Sequence, residues 1–117
     1  MTETPAIDPT ELPEIITRYL KAHQARDIDT AMRSYAPDAS MTDEGRSYAG
    51  AGEIRAWLGR SASEYTYTIE MTGAAALDHN HYDVIHHLEG NFPGGQVDLH
   101  IRFTLNDRKI TRLVIEG

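Results

Sequence analysis

The feature that most restricts this chain is a change of hydrophobic period near residue 63, from the three-to-four spacing of helices to the alternation of strands. Ahead of it, Ile15, Ile16, Tyr19, Leu20 and His23 form one apolar stripe with a polar edge. Their segment, "DPTELPEIITRYLKAHQARD", carries start signals for a first helix: Asp8 or Thr10 as N-cap, early prolines, and acids in the first turn. "DIDTAMRSYAPDA" repeats the pattern with Ile28, Ala31, Met32 and Tyr35 inward. It stops at Pro37, because proline disfavours helix at the residue before it. After a short strand, "AGAGEIRAWLGRSAS" predicts a third helix that buries Ile54, Trp57 and Leu58. Beyond the change, Tyr65, Tyr67, Ile69 and Met71 alternate with polar residues. Tyr82, Val84, His86 and Leu88 do the same, as do Val97, Leu99, Ile101, Phe103 and Leu105. "NFPGGQ" and "NDRK" supply turns too short for anything but antiparallel hairpins, and "KITRLVIEG" is the last strand. Helices first and a strand meander second predict an α+β fold, with the helices covering one face of a curved sheet.

Residues 1–8 read as a flexible polar tail, and 9–117 as one domain of a length that buries about two-thirds of its unfolded surface. A net charge of -7 repels polyphosphates and anionic lipid, so neither nucleic acid nor membrane is an expected partner. The absence of cysteine excludes disulfides, thiolate metal sites and thiol nucleophiles. "MTETPAIDPT" lacks the basic and apolar regions of a secretion signal, and no stretch approaches the roughly 18 apolar residues of a membrane span. A cytoplasmic location is the default expectation.

The stretch "ITRYLKAHQARDIDTAMRSYAPDASMTDEGRSYAGAGEIRAWL" resembles the nuclear transport factor 2-like superfamily, in particular its SnoaL-like polyketide cyclase and ketosteroid isomerase branch. The shared features are a helix-one Tyr, the "RDID" helix junction, the "YAPDA" helix exit, a strand ending in Asp, and "YAGAGEI" leading into helix three. The resemblance runs from about residue 10 onward. It implies a single SnoaL-like domain shaped as a cone, a cystatin-like α+β roll in which a strongly bent antiparallel or mixed sheet wraps three N-terminal helices. An apolar pocket at the open end and a homodimer through the outer sheet face are also implied.

The resemblance further implies roles for residues. In the isomerase branch the strand-end Asp is a general base that moves a proton between carbons, and Asp43 occupies the matching position. An apolar cone raises a carboxyl pKa by desolvation, toward the working range of such a base. The other reading of Asp43 is a solvated turn acid beside Glu44 and Gly45. Tyr19 matches the helix-one Tyr that donates to a developing oxyanion, or it is simply a packing aromatic. The isomerases' second acid is missing, because its nearest equivalent is Leu99 and Asp98 alternates to the opposite face. Six histidines, at 23, 79, 81, 86, 87 and 100, raise a metal reading that their spacing does not support. His86 shares the inward face of Tyr82, Val84 and Leu88, and is either a pocket acid or orienting donor to Asp43, or a satisfied core histidine. Tyr35, Tyr48, Trp57, Tyr65, Tyr67, Leu99 and Phe103 are the expected pocket walls, suited to a flat hydrophobic ligand. The reaction class that follows is cofactor-independent proton transfer on an apolar carbonyl compound, of isomerase, cyclase or dehydratase type. The rival is a non-catalytic ligand-binding or dimerisation module on the same fold.

Overall fold

The computed structural model describes residues 6–64 and 67–117, the side chains of 61–64 excepted. Asp8 caps a single 3-10 turn, Pro9–Glu11, and its carboxylate accepts from the Thr10 backbone N–H at 2.9 Å. Three helices follow: α1 Glu14–Gln24, α2 Ile28–Arg33 and α3 Gly50–Glu64. Six strands, β1 Tyr35–Asp43, β2 Arg46–Ala49, β3 Tyr67–Ala76, β4 His81–Gly90, β5 Gln96–Asn106 and β6 Lys109–Glu116, form one sheet in the order β2-β1-β6-β5-β4-β3. The β3 to β6 meander is antiparallel throughout, whereas β1 pairs with β6 in parallel. The sheet is therefore mixed, and the whole is α+β, as the sequence pattern requires. Among the described residues no helix is long and apolar enough to cross a membrane.

One expected boundary moves. Tyr35 begins β1 instead of ending α2, because the helix stops at its Ser34 cap and Tyr35 pairs with Ile110. Pro37 then sits in an irregular stretch of β1 between Tyr35 and Ser40, where the missing N–H costs no ladder bond. The short strand β2, hidden in "EGRSYAG", folds back on β1 through the two-residue turn Glu44-Gly45, with Asp43 opposite Arg46. Both turn residues have positive φ, 50° and 83°, the type I′ geometry that matches strand twist. At the other end of the chain Ile7 donates its N–H to the Ala74 carbonyl at 2.9 Å, so the approach to α1 lies against β3.

The core is built from the α1 stripe (Ile16, Tyr19, Leu20), the α3 side chains Ile54, Trp57 and Leu58, and the inward rows of the sheet. Register places Tyr82, Phe103, Leu113 and Met41 in one such row, all but Tyr82 fully buried. The next row is Val84, Ile101, Ile115 and Asp43, so the carboxylate replaces a hydrophobe at the end of a continuous apolar line.

Two glycines separate backbone conformation from packing, since neither has an atom within 4 Å of the position a Cβ would take. Gly45→Ala is expected to lower stability by about 1 kcal/mol, through its positive φ alone. Gly59→Ala, in the exposed interior of α3, is expected to raise it by about 0.5–1 kcal/mol. Urea denaturation of the two variants checks both signs.

Candidate functional site

A cavity of about 420 Å³ opens at the end of the molecule where α1 finishes and the β4–β5 turn begins. Its walls follow from register. Ile69, Leu88 and Val97 pair across β3, β4 and β5 nearest the turn, and all three line the cavity. One row deeper, His86 pairs with Met71 on one side and Leu99 on the other. Ile101, Ile115 and Asp43 come next, and α1 closes the opposite wall with Tyr19, Leu20 and His23. Among the described residues no lysine or arginine lines the cavity, whereas Asp43 and Glu44 do.

Asp43 is half-buried, and Trp57 Nε1 donates to its Oδ2 at 2.9 Å. The Trp57 ring stacks on the His23 ring at 5.5 Å between centroids, and His23 in turn lies 6.1 Å from the Tyr19 ring. Tyr19 is fully buried, with its edge-on partners Tyr35 and Phe103 at 5.2 and 6.0 Å. The Tyr35 hydroxyl donates to the Tyr19 hydroxyl at 2.7 Å. Burial pushes the Tyr19 phenol pKa up, and the bond from Tyr35 offsets part of that rise. The site thus has two supported polar points, an oriented carboxylate and a hydroxyl with a second hydroxyl behind it.

His86 is a third polar group, without such support. It is 3% exposed, and among the described residues its Nε2 has no hydrogen-bond partner. Burial, with His23 nearby, holds its pKa down at about 4, so the ring is neutral at pH 7. Burial also lowers the His23 pKa, while Asp43 acts in the other direction.

Of the residues read from the sequence as site or wall, Asp43, Tyr19, His86, Trp57, Tyr67 and Leu99 line the cavity. Three do not. Tyr35 lies behind Tyr19, Phe103 is fully buried edge-on against the Tyr19 ring, and Tyr48 lies on β2 under the Arg60 guanidinium, 5.7 Å from its ring centroid. Tyr65 falls outside the described residues. The histidines other than 23 and 86 lie elsewhere: His87 bonds Asp98 at 2.7 Å, His100 bonds Asp83 at 2.9 Å, and His81 bonds Asp78 at 2.9 Å. Among the described residues no three His, Asp or Glu side chains come together as metal ligands. The reading from sequence passed over His23, Gln24, Glu44, Phe92, Pro93 and Gln96 as lining residues. His23 was findable, since it is one helical turn beyond Tyr19 on the same stripe.

The family model of the SnoaL-like domain matches residues 16–113. A solved structure of a candidate polyketide cyclase from Sinorhizobium meliloti is 31% identical, with a TM-score of 0.86 over 94% of this chain and 100% of that one. A protein of ketosteroid isomerase-like fold from Catenulispora acidiphila, solved with trimethylamine, is 19% identical, with a TM-score of 0.76 over 90% and 85% of the two chains. SalBIII, an epoxide hydrolase/cyclase-like enzyme of pyran ring formation in salinomycin, is 19% identical, with a TM-score of 0.74 over 87% and 86%. At these lower identities the likeness is one of fold. No curated protein sequence matches the chain.

The depressed His86 pKa has a defined effect on stability. Above about pH 6.5 the imidazole is neutral in both folded and unfolded chains, and its contribution is fully present. As the pH falls below 6.5 the unfolded chain takes up the proton and the folded chain does not, so stability is lost down to about pH 4. The loss is on the order of 3 kcal/mol. Urea denaturation between pH 7 and 4 is expected to give a slope that His86→Leu flattens.

Proposed function

The chain belongs to the SnoaL-like domain family, and from that premise we propose that it catalyses cofactor-independent proton transfer on an apolar carbonyl compound. Asp43 takes a proton from the carbon next to the carbonyl, and Tyr19 donates a hydrogen bond to the oxygen on which the enolate charge develops. The proton on Asp43 then returns to another carbon in an isomerisation; in a cyclisation the enolate carbon adds to a second carbonyl carbon of the same molecule, whose C=O π bond breaks and whose oxygen takes up the proton from Asp43. The observation that carries the reading is the Trp57 bond to Asp43, which holds one carboxylate oxygen and leaves Oδ1 to address a ligand from the cavity wall.

Tyr19 suits its role for a stated reason. With Tyr35 donating to it, its own proton is available to an acceptor in the cavity, and a phenol kept protonated by burial remains a donor at all working pH values. The name polyketide cyclase, carried by the Sinorhizobium protein, agrees with enolate chemistry. By the resemblance, Leu99 is the nearest equivalent of the second acid of ketosteroid isomerases, and an apolar residue there, lining the cavity, supports the plainer reading, a ligand-binding protein with the same cavity.

The two readings divide on one experiment. β-Tetralone, a bicyclic ketone with acidic carbon-bound hydrogens, is incubated in deuterated buffer and its exchange followed by proton NMR. The wild type is expected to accelerate exchange over buffer. Asp43→Asn should lose about 10²–10⁴-fold, and Tyr19→Phe about 10²–10³-fold. Binding without any accelerated exchange would leave the ligand-binding reading.

Two copies are further proposed to pair through the outer face of the sheet. That face alternates charges of both signs, in the pairs His87–Asp98, His100–Asp83 and Arg102–Glu116, with the half-buried Ile85 and Val114. Sedimentation velocity is expected to give a dimer for the wild type and a folded monomer for Ile85→Lys. A wild-type monomer at micromolar concentrations would remove the proposal.

A further inference from the structure

His86 has the features of a group built to be met by a ligand. It lies on the inward face of β4 between Met71 and Leu99, in the row next to the one that ends in Asp43. The strand order puts β5 and β6 between β4 and β1, so the imidazole and the carboxylate stand on different walls of the cavity, three strand spacings apart. That is about 14 Å around the arc, and less straight across it. The wall between them is apolar, formed by Leu99, Ile101 and Ile115. A buried nitrogen without a partner is destabilising, and buried polar side chains otherwise find partners.

We propose that His86 Nε2 is the recognition point for a second oxygen of the ligand, so that the cavity takes uncharged, flat compounds with a carbonyl at the Asp43–Tyr19 end and a hydroxyl or second carbonyl at the other. The inference rests on the reading of this cavity as a ligand pocket, and it gives that pocket a substrate class. Charge points the same way. Asp43 and Glu44 line the cavity without a lysine or arginine, which disfavours carboxylate and phosphate ligands. A neutral imidazole carries one donor and one acceptor nitrogen, and so pairs with a hydroxyl or a carbonyl according to its tautomer. His86 stays neutral at pH 7, which makes it a binding group there and not an acid. An oxygen that restores the missing bond is worth about ten- to a hundredfold in affinity over the same ligand without it.

The test compares β-tetralone with its four aromatic-ring monohydroxy isomers by isothermal titration calorimetry, against the wild type, His86→Leu and His86→Gln. At least one hydroxy isomer is expected to bind the wild type about tenfold or more tighter than β-tetralone. That preference should vanish in His86→Leu and be partly kept in His86→Gln. Nitrogen NMR of the wild type adds a readout that needs no variant, because the Nε2 resonance of His86 should move with the hydroxy isomer and not with β-tetralone. The assignment is overturned if no isomer is preferred, if the preference survives in His86→Leu, or if the Nε2 resonance ignores the hydroxyl. The outcome is separable from that of the exchange experiment. A hydroxyl preference without deuterium exchange removes the proton-transfer chemistry and keeps His86 as a recognition group, whereas exchange without a preference does the reverse.

Discussion

The parallel pairing of β1 with β6 is the constraint on which the rest of the molecule depends. It joins Ser40–Asp43 to Arg112–Ile115, segments more than seventy residues apart, and is the sheet's link between the helical first half and the meander. Parallel neighbours need a crossover, and here the crossover is nearly everything between them. Because β1 docks at this edge, Met41 and Asp43 continue the inward rows of the meander, and α3 lies against β1 so that Trp57 reaches the strand end. Without the pairing, the meander would have an open apolar face and Asp43 would be an ordinary turn residue.

Much of this was legible in the sequence, and the legible parts share a cause. Alternation fixes which side chains of a strand face inward, so the opposition of His86 to His87 and of Leu99 to Asp98 follows from a period of two. The α1 stripe is as clear, because three- and four-residue spacings on one helix state which face is buried. What the sequence concealed depends on contacts between distant segments. Tyr35 continues a helical pattern, yet it is pulled into β1 by a strand that begins at Lys109 and by the hydroxyl of Tyr19. Strand β2 has four residues, mostly exposed, and offers no periodic signal. Aromatic residues were the least readable of all. Tyr19, Trp57 and Tyr67 reach the cavity while Phe103, packed edge-on against the Tyr19 ring, and Tyr48, on the β2 hairpin strand, do not, a difference that composition does not carry.

The candidate site owes its character to unequal treatment of its polar groups. Tyr19 and Asp43, both lining the cavity, each have a partner, a hydroxyl and an indole N–H, that holds the polar group in place. His86 has no such partner. Burial lowers the pKa of both cavity imidazoles, His23 and His86, and among the described residues the walls bring in no lysine or arginine to offset the two acids. Such an interior discriminates by hydrogen bonding and shape, because its charge has one sign only.

The indole that steadies Asp43 is the protein's single tryptophan. All long-wavelength intrinsic fluorescence of the chain therefore originates from one ring that touches both the carboxylate and the His23 face. Emission from this molecule is a local optical gauge of the cavity, sensitive to whatever displaces water from it or changes the charge beside the ring, with no label to attach.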